Sequence, residues 1–297
     1  MAPGTALRAA FLLLALDLPV SAQAPPGDGS PGYYEPLPIR REVLLGWEKA
    51  KDPHPPEIVA GIYERDWQGC DFRDELAVTI DDCLPNATMA RELDILKARG
   101  VKATFFIIGR AFFDSRLRPM PRARELLGRV VAEGHVIGSH SYYHRRMDLG
   151  RYRDDAEAIR EELDRNEEAI DRILGYHYPV AYFRPPNGAH SSPGYVLDRV
   201  LKARGQYLAN WTITSFDWCM RLKPGNPDRI GPDEVVARTV RQAREDRGGV
   251  ILLHGFPETA DILGRVLSEL LAARGASGGF SFVGLDEILR LKYGERP

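Results

Sequence analysis

Apolar and polar positions along the chain switch repeatedly between two periods from about residue 74 onward. "ELAVTID" (75–81) is a short, mostly apolar run that predicts a buried strand. "TMARELDILKARG" (88–100) spaces its apolar residues three and four apart and closes on Gly100, which predicts a helix with a glycine cap. "VKATFFIIG" (101–109) predicts a second strand, "PRARELLGRVVAEG" (121–134) a helix with proline at its start, and "HVIGSH" (135–140) a third strand. "RDDAEAIREELDRNEEAIDRILG" (153–175) carries Ala158, Ile159, Leu163, Ala169, Ile170, Ile173 and Leu174 at helical spacing. Further strands are predicted at "VAYFRPP" (180–186), "QYLANWTIT" (206–214), "GGVILLHG" (248–255) and "FSFVGL" (280–285). Helices are predicted at "SPGYVLDRVLKARG" (192–205), "PDEVVARTVRQARED" (232–246), "TADILGRVLSELLAARG" (259–275) and "LDEILRLKYG" (285–294). About seven strands in alternation with helices predict a parallel sheet covered by helices, either open or closed into a barrel. In both, chemistry belongs at the carboxyl ends of the strands.

The amino-terminal part follows different patterns. Arg8 precedes an apolar run too short to span a bilayer (9–16), and small residues follow, which is the order of a secretory signal. Cleavage is expected after Ala22, so residues 1–22 read as a signal peptide and the protein as exported. Residues 23–73 read as a Pro/Gly-rich linker and amino-terminal extension, with a short helix at 39–52 stopped by "PHPP". Residues 74–292 form the α/β domain. A hydrophobic share of 44% in 297 residues supplies one substantial core, and a net charge of −2 gives no electrostatic case for nucleic acid. No later stretch is apolar enough for a membrane helix. Cys70, Cys83 and Cys219 allow at most one internal disulfide, and spacing does not select it.

The ionisable residues near strands gather at strand ends: Asp81 and Asp82, His140 and His144, Arg184, Asp217 and His254. His140 and His144, read as one side of a helical turn, can reach one cation, and two histidines with a carboxylate suit zinc or another divalent metal. H-x-x-x-H alone is equally a pattern of surface or capping histidines, and His54, His135, His177 and His190 have no evident role. Two adjacent aspartates point to opposite faces within a strand, but at its end the turning backbone lets both address one cleft. One can then ligate a cation while the other takes a proton from the attacking water; the alternative is a capping Asp beside a solvated one. Arg184 can hold the free carboxylate ionised or form an ordinary ion pair. His254, tuned by Asp217, can protonate a leaving group or sit as a satisfied core histidine. Trp218 can wall a groove against a sugar face or pack in the core.

The combination resembles the NodB-like polysaccharide deacetylases of carbohydrate esterase family four, over residues 74 to 292. "TIDD" (79–82), "HSYYH" (140–144), "FRPPNG" (183–188), "SFDW" (215–218) and "LLH" (252–254) match that family's five motifs in order. "LDILKARGVKATFFIIG" and "GHVIGSH" match the surrounding context. The resemblance implies a distorted (β/α)7 barrel, the NodB homology domain, that hydrolyses acetyl groups from a polysaccharide with the help of a divalent metal, zinc by preference and one per chain. It implies Asp81 as general base, Asp82, His140 and His144 as metal ligands, and Arg184 as the partner that steadies Asp81. It further implies His254 as general acid tuned by Asp217, the backbone N–H of Asn187 as an oxyanion donor, and Trp218 and Leu252 as groove residues.

Several positions depart from the family pattern. Asn187 stands where Tyr is common, Cys83 where Gly follows the two aspartates, Gly255 where Asp often follows the last histidine, and Arg145 and Arg146 where Pro is common. They cluster around the groove, so the chemistry is better specified than the glycan. Two competing readings are a metal-independent hydrolase of small cyclic amides or imides on the same barrel, and a non-catalytic glycan-binding protein. The full Asp82, His140 and His144 set speaks against the first, and retention of Asp81 and His254 against the second.

Overall fold

The computed structural model describes residues 61–62, 70–188, 196–273 and 279–293. The expected leader at 1–22 and the helix at 39–52 lie outside them. The described chain runs β1 (Gly61–Ile62), β2 (Glu75–Asp81), α1 (Ala87–Arg99), β3 (Ala103–Ile107), α2 (Ala123–Ala132), β4 (Val136–Ser139) and α3 (Ala156–Leu174). It continues with β5 (Tyr182–Phe183), α4 (Val196–Arg204), β6 (Tyr207–Ala209), β7 (Ile213–Thr214), α5 (Pro232–Glu245), β8 (Gly248–His254), α6 (Pro257–Ala272), β9 (Ser281–Phe282) and α7 (Leu285–Tyr293).

Local chemistry sets several of these boundaries. Asn86 caps α1 by accepting the N–H groups of Thr88 and Met89, and Gly100 ends it in the left-handed conformation at φ 65°. Asp155 caps α3 in the same way through Glu157 and Ala158. Pro232 and Pro257 open α5 and α6, where a missing N–H costs nothing. Pro121 does not open α2; the helix starts at Ala123 after Arg122 turns the chain at φ 68°.

All strand pairings are parallel, in the order β1-β6-β5-β4-β3-β2-β8-β7, with β9 beside β2. The sheet curls into the distorted barrel that the sequence implied. Its seam falls inside "QYLANWTIT", expected as one strand. That segment breaks into β6, next to the β1 end of the order, and β7, at its other end, and Trp211 between them is buried in the inner core. β1 then pairs with β6 on one side of the seam.

The period of two sorts the strand side chains into two cores. Leu76, Val78, Ile80, Phe105, Ile107, Ile251 and Leu253 face outward against Leu93, Leu96, Leu126, Val240 and Leu263 of the helices. Ala77, Phe106, Tyr182, Ala209, Val250 and Leu252 face inward with Phe72, and α7 adds Leu285, Ile288 and Leu289. Gly138 lies against Phe106, where a Cβ would come within 2.6 Å of the ring. Following the inward rows to their carboxyl ends leads to Asp81 after Ala77 and Thr79, His254 after Val250 and Leu252, and Arg184 after Tyr182. The fold thus sets these three side chains around one mouth.

Candidate active site

Asp81 is the last residue of β2 and pairs in register with Phe106 on one side and His254 on the other. Arg184, 0% exposed, donates from Nη1 to Asp81 Oδ1 (2.7 Å) and to Thr79 Oγ1 (2.8 Å). Its Nε donates to the Ala209 carbonyl (2.6 Å) and its Nη2 to the Asn210 carbonyl (2.9 Å), while its guanidinium lies 4.1 Å from the centre of the Phe106 ring. A buried cation is tolerable only when paired and hydrogen-bonded in this way. Burial pushes the Asp81 carboxyl above its ordinary range, against the opposing pull of Arg184 and His254.

The adjacent Asp82 takes φ 60°, a left-handed conformation that Asp tolerates better than most residues. That turn brings its carboxylate to the same place as that of Asp81 instead of the opposite face. Asp81 Oδ2 and Asp82 Oδ1 each lie 3.6 Å from His140 Nε2, and Asp82 Oδ1 lies 3.5 Å from His144 Nε2. One donor atom from each of Asp82, His140 and His144 falls within 4.8 Å of the others. His140 Nδ1 contacts the Arg184 carbonyl at 2.7 Å, so this nitrogen carries the proton and Nε2 turns a lone pair toward the two carboxylates. Burial, with His144 beside it, pushes His140 down to about 3, which leaves the ring neutral. Among the described residues, nothing hydrogen-bonds to the buried Asp82 Oδ1. A neutral imidazole, a second imidazole and an unsatisfied carboxylate oxygen converging on one point are a donor set that fits a divalent cation.

His140 and His144 do not share a helical turn, as their spacing had implied. They lie in an irregular loop after β4 in which Ser141 (φ 63°) and His144 (φ 56°) are both left-handed, and the ring centres are 4.9 Å apart.

On the other side of the mouth, His254 Nδ1 contacts Asp217 Oδ1 at 2.8 Å, and the His254 N–H donates to Asp217 Oδ2 at 2.7 Å. Thr259 and Ser215 hydroxyls and the Trp218 N–H also donate to this buried carboxylate. Burial alone would lower the His254 pKa, but the charge and hydrogen bond of Asp217, with Asp82 and Asp81 behind them, together raise the imidazole to about 9. Burial likewise works against an ionised Asp217, and the His254 contacts more than offset it, so its carboxyl falls below the ordinary value. Trp218 meets His254 edge to face at 5.3 Å, and Phe256 stacks on His254 at 5.2 Å with the rings 4° from parallel. Leu252 is buried beneath His254 on the same inward row, and half-buried Asn187 (φ 60°) sits in the turn Pro186–Gly188 after Arg184.

Sequence reasoning missed Thr79, Ser215, Phe256 and Thr259. Thr79 was legible, because it lies two residues before Asp81 on the inward row. Thr259 and Phe256 belong to the start of α6, and nothing in their local pattern points at a site. Cys83, one of the three cysteines that could have formed a disulfide, does not form one. It is a buried free thiol that pairs with neither Cys70 nor Cys219 and donates to Glu92 Oε2 at 3.7 Å.

An open parallel barrel with paired carboxylates, histidines and a buried arginine at its carboxyl-end mouth has the makings of a hydrolase centre, with a donor set that fits a divalent cation. Residues 69–203 match the family model for polysaccharide deacetylase. The peptidoglycan-N-acetylmuramic acid deacetylase PdaA of Bacillus subtilis is 26% identical over 254 residues, 83% of this chain and 86% of PdaA. The solved T48 deacetylase with substrate is 27% identical at a TM-score of 0.57, over 75% of this chain and 92% of that one. A family-four pseudoenzyme from Bacillus anthracis has the same fold, with a TM-score of 0.55 and 23% identity over 74% of this chain and 66% of that one. Residues 69–203 are thus a polysaccharide deacetylase domain, a hydrolase domain whose relatives and structural neighbours are of the NodB-like carbohydrate esterase family four.

Proposed function

We propose that this protein is a divalent-metal-dependent deacetylase that removes acetyl groups, N-acetyl first among them, from a cell-wall or extracellular polysaccharide. The observation that carries the reading is the convergence of Asp82 Oδ1, His140 Nε2 and His144 Nε2 beside the Asp81–Arg184 pair. A divalent cation held by Asp82, His140 and His144, zinc by preference, supplies Lewis acidity toward the acetyl carbonyl and the attacking water.

The chain's own residues divide the proton work. Asp81 accepts a proton from the water as it attacks, and its buried, upward-shifted carboxyl is a better base than a solvated one. Arg184 keeps that carboxylate ionised and aimed. The backbone N–H of Asn187 is assigned to the developing oxyanion, an assignment that rests on the matching "FRPPNG" motif. His254, held cationic by Asp217, protonates the departing amine, so one water and one acetamide give acetate and an amine. Trp218 and Leu252 shape the groove around the acetyl group.

N-acetylhexosamine in peptidoglycan is the first substrate to test, because PdaA acts on peptidoglycan N-acetylmuramic acid by name. Such a substrate fits the export expected from residues 1–22. Acetate release from a panel of peptidoglycan fragments, chitin oligomers, an acetylated exopolysaccharide and acetylated xylan tests the assignment. Release from a peptidoglycan fragment alone supports it; release only from xylan would replace the N-acetyl reading with an O-acetyl one.

A further inference from the structure

The loop that carries His140 and His144 is held from behind by α3. Two of its five residues, Ser141 and His144, have left-handed backbone without being glycine, at φ 63° and 56°. Left-handed backbone is strained for a residue with a Cβ, so the shape persists only where surroundings impose it. Glu162 and Asn166 interrupt the otherwise apolar face of α3 one turn apart, and both are buried there. Glu162 Oε2 accepts the N–H groups of Tyr142 (3.0 Å) and Tyr143 (2.9 Å), the two residues between Ser141 and His144, and Oε1 accepts the Tyr152 hydroxyl (3.0 Å).

Asn166 secures the approach to the loop. It donates to Ser139 Oγ (2.8 Å) and to the Ile107 carbonyl (3.0 Å), and accepts the Gly109 N–H (2.6 Å). Across the loop, the Gly109 and Arg110 N–H groups donate to the carbonyls of Ser141 (3.4 Å) and Tyr142 (3.0 Å). Gly109 is required at this approach, since a Cβ would sit 2.5 Å from Asn166 Oδ1 and 2.9 Å from the Tyr142 ring.

We propose that Glu162 is a positioning residue for the metal-ligand loop: by accepting the amides of Tyr142 and Tyr143 it sets His144 Nε2 against His140 and Asp82, and so sets the affinity of the site for a divalent cation. The inference rests on the metal-centred reading above. Burying a carboxylate on a helix face that could have been apolar is costly unless its acceptors are used, and here both oxygens are used. The geometry of the acceptor, not the charge, carries the effect.

The test is zinc affinity, by competition with a chromophoric chelator, for the wild-type protein, Glu162→Gln and Glu162→Asp, with the protection of the Tyr142 and Tyr143 amides read by hydrogen exchange. Glu162→Gln keeps an oxygen acceptor and stays within about threefold of wild type. Glu162→Asp withdraws it by one methylene and binds zinc ~10–100-fold more weakly, the usual effect of losing support behind a ligand. Equal affinity in all three proteins overturns the inference, as does an equal loss in both variants. Rapid exchange of the two amides in the wild type also overturns it, whether or not the variants fold. A wild-type protein that binds no zinc overturns the metal-centred reading and this inference together, whereas zinc bound equally by wild type and Glu162→Asp overturns the inference alone.

Discussion

Replacing Asp217 with Asn tests how His254 is kept ready to give up a proton. The imidazole is raised from 6.5 to about 9, against a burial that by itself lowers it, and the raising comes first from Asp217 at 2.8 Å, with Asp82 and Asp81 adding to it. The difference corresponds to ~3 kcal/mol of preference for the imidazolium. Asn keeps the size of the side chain and an oxygen acceptor, and the Thr259 and Ser215 hydroxyls can rotate to meet its amide. It removes the charge and hydrogen bond that raise the imidazole most, so burial regains its weight against Asp82 and Asp81 and the imidazole falls toward 6.5. A general acid must be protonated, so kcat/KM declines as pH rises through its pKa. At pH 8 a group of pKa 9 is about nine-tenths protonated and one of pKa 6.5 about one-thirtieth, a ~30-fold loss before any cost in orientation. The assay is acetate release from pH 5 to pH 10 at saturating zinc. The alkaline limb of Asp217→Asn should move from near 9 toward 6.5, with the smallest loss of rate at the acid end. An alkaline limb that stays where it was would refute His254 as the acid tuned by Asp217.

Other substitutions separate the remaining roles. Asp81→Asn should lower turnover by ~10²-fold or more while leaving zinc affinity within a few fold, whereas Asp82→Asn should weaken zinc binding ~10-fold or more and turnover with it; calorimetric zinc titration checks both, and equal loss of metal would refute the division. His135 is pushed down to about 4 by burial, with Lys102 adding to the effect, and its Nδ1 accepts the Ala103 N–H at 3.1 Å. Its folded pKa is below the unfolded one, so its contribution is present above 6.5 and is lost as pH falls toward 4. His135→Asn keeps an acceptor but does not titrate, and the wild type should lose ~2 kcal/mol more than the variant between pH 7 and pH 5 in urea unfolding; parallel curves would remove His135 as the cause. Gly138→Ala puts a Cβ 2.6 Å from the Phe106 ring that underlies Arg184, and should cost ~1–3 kcal/mol in denaturant unfolding together with activity.

Much of the fold was legible because the strands and helices obey their periods, and the inward row of β2 could be followed from Ala77 to Asp81 by counting in twos. The seam was not, because "QYLANWTIT" is continuously strand-like and only closure geometry splits it at Trp211. The pairing of β1 with β6 was equally hidden, since two residues carry no periodic signal. Within the site, Asp81, Asp82, Arg184, Asp217 and His254 stood out because ionisable groups at the ends of apolar strands need a reason to be there. The spacing of His140 and His144 suggested the right partnership for the wrong reason: it is produced by left-handed residues pinned from α3, not by a helical repeat. Glu162 and Asn166 left a signal in the apolar face they interrupt, but only the folded chain shows which backbone they hold.

The most direct measurement is acetate release by chelator-stripped protein as zinc is added back in counted equivalents. Activity should be absent without metal, rise in proportion to zinc, and level off at one equivalent per chain. Full activity in the stripped protein, or one bound equivalent with no release from any acetylated glycan, would contradict a metal-dependent deacetylase; the second result would leave a glycan-binding protein on a deacetylase fold.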